Sequence, residues 1–152
     1  MKRDVLITVT GLLFTGNGED EKDYIDVITP GLCYSRGEEI FLFYEEQMEG
    51  FEEPVRNRVS LRPGRAVITK KGLVTAEMIF EPGKNTTSWY STPFGKLDLS
   101  VHTSRISLKE SPDRIEADIR YELFLNGGQA NRCFVKILVQ PQGEDSSFIL
   151  AV

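Results

Sequence analysis

Residues 114–125 read Arg114-Ile115-Glu116-Ala117-Asp118-Ile119-Arg120-Tyr121-Glu122-Leu123-Phe124-Leu125. Ile115, Ala117, Ile119, Tyr121, Leu123 and Leu125 share one parity, and Glu116, Asp118, Arg120 and Glu122 share the other. A helix at 3.6 residues per turn would scatter those charges around its axis, whereas an extended strand sends them all to one face. The stretch is therefore a long strand with one apolar and one polar face. Downstream, Cys133, Val135, Ile137 and Val139 repeat the pattern, and Asn126-Gly127-Gly128 between the two runs makes a hairpin.

Working outward, the chain punctuates itself. Pro-Gly occurs at Pro30-Gly31, Pro63-Gly64 and Pro82-Gly83, and other breakers fall at Arg36-Gly37, Lys71-Gly72, Pro93-Phe94-Gly95 and Ser111-Pro112-Asp113. Pro presets the turn's φ and Gly supplies positive φ, so each pair is a turn signal with a mechanism. Between the breakers lie runs of roughly 6–12 residues rich in Val, Ile, Thr, Phe and Tyr. Strands are expected near 4–14, 23–35, 39–46, 56–62, 65–71, 74–81, 86–92 and 96–108, besides the two above. The run 96–108 starts with Leu97, Leu99 and Val101 inward and then switches parity to Ile106 and Leu108, which places a β-bulge between His102 and Arg105. No segment has convincing helical periodicity, and Tyr44–Glu53 is allowed a helical turn at most.

About ten antiparallel strands with short turns, each with one apolar face, close as a barrel or pack as a sandwich. The hairpin-after-hairpin order favours an all-β, closed or nearly closed up-and-down barrel of about 8–10 strands, and barrels of that size can enclose one small ligand. A chain of 152 residues and 17.2 kDa is one domain's worth and buries ~70% of its unfolded surface without staples. The domain is read as 1–152, with a tail at 140–152 whose Phe148-Ile149-Leu150 has no assigned place.

Composition narrows the function classes. A net charge of -5 and a pI near 5.0 argue against nucleic-acid binding over the whole surface, and no DNA partner is expected. No apolar run approaches the ~18 residues of a spanning helix, so no membrane association is expected. Lys2-Arg3 before Val5–Phe14 imitates a signal peptide, but Asp4, Thr8 and Thr10 interrupt it and no cleavage site follows. Cys33 and Cys133 are too few and too far apart for a disulfide framework or a zinc pattern, which suits free thiols in a cytoplasmic protein. No cofactor is expected, no Cys/His spacing suits a metal, and no glycine-rich loop suits a phosphate.

Several ordered patterns resemble the bacterial YwiB-like family, uncharacterised proteins classed by structure as calycin-like, lipocalin-type β-barrels. They are Gly31 followed by Tyr34; Tyr44-Glu45 with Gly50; the segment ending Lys71-Gly72; Met78-x-Phe80-x-x-Gly83; Tyr90-x-Thr92-Pro93-x-Gly95 with Thr103; and Ile119-x-Tyr121-x-Leu123. The resemblance runs from the first strand to about Val139 and implies a barrel, with no established activity. Lys71 stands where the family pattern carries Arg, so a planar bidentate fork is lacking there. Fold does not supply function, because such barrels host transport, binding and occasional catalysis.

Three functional readings follow. In the first, the protein is a non-catalytic module holding a small, partly apolar ligand in the barrel, with Tyr44, Glu45, Lys71, Tyr90, Thr92 and Tyr121 as the binding set. Tyr121 lies on the apolar face, so its hydroxyl needs a partner or costs ~1–3 kcal/mol, and Glu45 beside Tyr44 is a candidate acceptor. In the second, the basic 56–71 surface binds protein or RNA. Arg56, Arg58 and Arg62 share strand parity, ~6–7 Å between successive parity-mates, and form either an anion site or a solvated face pairing with the acidic run Glu45–Glu53. In the third, the protein is an enzyme using Tyr44, Glu45 and His102, the sole histidine, which must then converge in one pocket. Trp89 either packs or stacks on a ligand ring. Oligomeric state is not legible.

Overall fold

The computed structural model describes residues 2–11, 25–47, 50–125, 128 and 130–142. Ten strands run in chain order: β1 (Lys2–Gly11), β2 (Ile25–Arg36), β3 (Glu39–Glu46), β4 (Val55–Arg62), β5 (Arg65–Lys71), β6 (Thr75–Phe80), β7 (Asn85–Thr92), β8 (Gly95–Ser111), β9 (Arg114–Leu125) and β10 (Ala130–Pro141). Each pairs antiparallel with its neighbour in sequence, and β1 pairs with β10 to close the ring. The all-β, up-and-down closed barrel expected from the punctuation is the observed fold. Among the described residues there is no helix at Tyr44–Glu53; β3 continues to Glu46 instead. The Asn126-Gly127 turn, positions 12–14 and 23–24 of the expected first strands, and 143–152 of the expected tail lie outside the described residues. Residues 140–141 belong to β10, and Gln142 caps the seam by donating its Nε2 to the Val5 carbonyl at 2.6 Å.

Turn chemistry and bulge both follow the residue types. The β4–β5 hairpin pairs Arg62 with Arg65 across Pro63-Gly64, and Gly64 takes φ of 81°, the positive angle that the third residue of a type II turn requires. On β8 the register against β9 shifts between Thr103 and Arg105. Ser104 is the extra residue, and its hydroxyl donates to the Arg120 carbonyl at 3.1 Å. Inward parity passes there from Leu99, Val101 and Thr103 to Ile106 and Leu108, as the sequence pattern requires.

The core is the sum of the inward stripes. Ile7, Leu42, Leu61, Phe80, Leu99, Ile115 and Ile119 are fully buried, each contributing ~1.5–3 kcal/mol relative to exposure. Close approach is built in at Gly31, which sits between Val5 on β1 and Tyr44 on β3. A Cβ there would lie 2.6 Å from the Phe43 backbone oxygen, 2.6 Å from Ile7 Cδ1 and 3.3 Å from Tyr44 Cβ. The backbone contact cannot yield as a side chain can. Gly31→Ala is therefore expected to lower unfolding stability by about 1–3 kcal/mol, read as a drop in the urea midpoint at constant m. An unchanged midpoint would contradict this packing.

Candidate functional site

Parity carries polar groups into the barrel at one end. On β5, Ala66 and Ile68 point inward, so Lys70 must follow them and Lys71 must face out. On β4, Val55, Val59 and Leu61 bring Asn57 inside; on β3, Ile40 and Leu42 bring in Tyr44 and Glu46. The registers then set these residues side by side. Tyr44 is opposite Asn57, Asn57 opposite Lys70, Lys70 opposite Ala76, Ala76 opposite Tyr90 and Tyr90 opposite Leu97. One inward row thus crosses six strands near the end of the barrel where β3, β5 and β7 finish.

Lys70 is the centre of this row. Its Nζ donates to Glu46 Oε1 at 2.9 Å and to Asn57 Oδ1 at 2.7 Å. Its side chain is 7% exposed, against 32% for Glu46. Asn57, itself buried, also donates from Nδ2 to the Val55 carbonyl at 3.4 Å. Moving an ammonium out of water costs several kcal/mol even after relaxation, and among the described residues one carboxylate and one amide offset it.

Beneath the row the barrel is filled. Phe80 and Tyr121 meet edge-on with ring centroids 4.9 Å apart, and the cavity between Lys70, Met78, Tyr90 and Tyr121 holds about 10 Å³, room for a single water. The expectation of a small ligand held inside the barrel is not met by this packing, which leaves no more than a water's space among these residues. Tyr121 stands opposite Cys133 in the β9–β10 register, and both side chains are turned toward the interior.

The tyrosines are donors. Burial first, and the Glu46 carboxylate second, push the Tyr44 and Tyr90 phenols above their ordinary 10.0. Burial, then Cys133, does the same to Tyr121. All three hold their protons at neutral pH and can donate hydrogen bonds, not act as bases.

The other expected site residues are elsewhere. Glu45 and Lys71 are exposed on the outer face, both opposite Arg56 in register. The inward carboxylate and ammonium are their neighbours, Glu46 and Lys70, which the sequence reading passed over. Thr92 shapes the β7–β8 turn, its hydroxyl accepting from the Phe94 amide at 3.1 Å and donating to the Gly95 carbonyl at 3.4 Å. His102 lies on the outer face of β8, with Nδ1 2.8 Å from Asn85 Oδ1. Since β8 stands five strands from β3 in either direction around the ring, His102 and Glu45 are on opposite walls, and the Tyr44–Glu45–His102 site is not assembled. Trp89 is half-buried on the outer face under the Lys96 ammonium, 5.7 Å from its ring centroid.

Arg56, Arg58 and Arg62 do share one exposed outer face on β4. The Arg58 guanidinium lies 5.1 Å over the Phe41 ring, beside the exposed Leu32 and Phe43. Among the described residues none of the three is held in an ion pair, so the expected pairing with the acidic run is not made there.

The phenols carry a pH prediction. A group whose folded pKa is raised stabilises the fold below its unfolded pKa, and that contribution is lost as pH rises through the folded value. Thermal stability is therefore expected to fall as pH rises past 10, where unfolded tyrosine ionises but Tyr44, Tyr90 and Tyr121 do not. Tyr121→Phe should flatten part of that fall. Absorbance titration at 295 nm showing all five tyrosines ionising near 10 in the folded protein would contradict the assignment.

Comparison with known proteins agrees with the fold. The crystal structure of the ywiB protein from Bacillus subtilis superposes with a TM-score of 0.78 over 93% of this chain and 94% of that one, at 18% sequence identity. That is a likeness of fold. No curated protein matches the chain. The family described as domain of unknown function DUF1934 matches residues 7–137. The chain belongs to that family.

Proposed function

We propose that the protein is a non-catalytic binding module that takes a small molecule at the barrel mouth, over Lys70, Tyr44 and Tyr90. The observation that carries this reading is the buried ammonium of Lys70. A methionine or leucine at that position would pack against Ala76 and Met78 without the desolvation cost, and replacing buried ion pairs by apolar residues is often neutral or stabilising. The chain keeps an ammonium there instead. Around it stand protonated phenols, an amide and an apolar floor, the mix of a few convergent polar groups on a largely apolar lining that small-molecule sites share. The binding reading is favoured over the Tyr44–Glu45–His102 enzyme reading because Glu45 faces outward and His102 is on the far wall.

The outer Arg56–Arg58–Arg62 face with Phe41 and Phe43 supports a second reading, contact with an acidic protein or RNA. Phosphate contacts weaken steeply with salt, so an RNA affinity that stays flat between low and high salt would remove the RNA form of this reading.

Mass spectrometry of the natively purified protein tests the first. A small molecule of constant mass is expected on the wild type and is expected to be absent from Lys70→Met, which keeps the unbranched stem and removes the charge. Finding both proteins at their sequence mass, or the same adduct on both, would contradict the mouth site.

A further inference from the structure

We infer that the molecule taken at the mouth is an organic anion, whose acidic group replaces Glu46 as the partner of Lys70 while its aromatic or short aliphatic body lies against Tyr44 and Tyr90. The inference rests on the mouth reading above and adds the ligand's charge and its exchange with a side chain.

Three features point to exchange. First, the two partners of Lys70 differ in how firmly they are held. Asn57 sits within β4, is 2% exposed and is bonded to the backbone at Val55. Glu46 is the last residue of β3, its side chain is a third exposed, and besides Lys70 its Oε1 accepts among the described residues only a long 3.5 Å contact from Asn57 Nδ2. The carboxylate can swing into water; the amide cannot. Second, an ammonium has three donors, and among the described residues Glu46 and Asn57 accept two of them. An incoming acidic group can therefore make its first contact before Glu46 leaves. Third, Tyr44 and Tyr90 stand on either side of Lys70 in the same inward row, each two strands away, so an anion on Lys70 has a phenol on both flanks. Leu97 continues the row beyond Tyr90 as a half-buried apolar wall. A cationic ligand would instead have to approach a desolvated ammonium, and a neutral one offers Lys70 nothing that water or Glu46 does not.

Because Glu46 competes with the ligand, removing its charge has the opposite effect from removing Lys70. The probe is 8-anilinonaphthalene-1-sulfonate, titrated by fluorescence at neutral pH against the wild type, Lys70→Met, Lys70→Arg and Glu46→Gln, each first shown to be folded by circular dichroism. One saturable site is expected on the wild type. Lys70→Met should weaken it by more than about tenfold, and Glu46→Gln should tighten it by about three- to tenfold, as expected where a part-exposed carboxylate competes with the ligand for a buried ammonium. Lys70→Arg should retain binding. Benzoate and inorganic phosphate, added as competitors, separate a carboxylate source from a phosphate source, and displacement by either supports the anion. Weaker binding in Glu46→Gln, or affinity indifferent to Lys70→Met as adsorption on the outer Leu32–Phe43 face would give, overturns the inference. Dansylamide and phenyltrimethylammonium separate the two levels of the claim. If either binds in a manner lost with Tyr90→Ala while the sulfonate does not bind, the anion falls and the mouth site stands. If none of the three binds, both fall.

Discussion

The rest of the structure depends on backbone pairing between β1 and β10. That ladder, running from Val5 opposite Pro141 to Gly11 opposite Val135, turns a ten-strand ribbon into a ring without edges. Once the ring is closed, side-chain alternation has only two destinations, solvent or one shared interior. Every inward residue is then walled on all sides by its neighbours, and polar groups among them can reach water only along the barrel axis. The position of a residue along its strand thus decides whether its charge is hydrated or must find a protein partner.

This is why Lys70 and Lys71 differ so sharply although they are adjacent and chemically alike. Lys71 projects into solvent. Lys70 is enclosed and holds Glu46 and Asn57. The same logic separates Glu45 from Glu46. With Phe80, Met78 and Tyr121 filling the middle of the barrel, the interior behaves as a packed core over most of its length and as a polar site only at one end. Apolar burial holds the ring together along the axis, and one end bears the buried ammonium. Thr103 adds a smaller tension at the bulge, where its buried hydroxyl has no hydrogen-bond partner among the described residues.

Most of the fold was legible because it follows from local rules. The parity of Ile115 through Leu123, the Pro-Gly turns and the parity switch before Ile106 require no knowledge of distant residues. The site was only half legible. Tyr44, Tyr90 and Tyr121 are legible as inward from their stripes; Glu45 and Lys71 stand out by motif resemblance, yet Ala66-x-Ile68-x-Lys70 and Leu42-x-Tyr44-x-Glu46 mark the other parity as the inward one. Two further properties lie beyond local pattern altogether. Whether His102 could meet Glu45 depends on how far apart β3 and β8 fall around the ring, and whether the lumen is open depends on how Phe80 and Tyr121 share its volume. Both are set by closure, which a sandwich with the same alternation would lack.

Closure is tested most directly by amide hydrogen exchange resolved along β1 and β10. In a closed ring successive amides from Val5 to Thr10 and from Val135 to Val139 point alternately to two bonded neighbours, and all of them are expected to exchange slowly, as in the interior strands. If every second amide on these two strands exchanged freely, β1 and β10 would be edges, the interior would be open along a seam, and the enclosure of Lys70 would lose its basis.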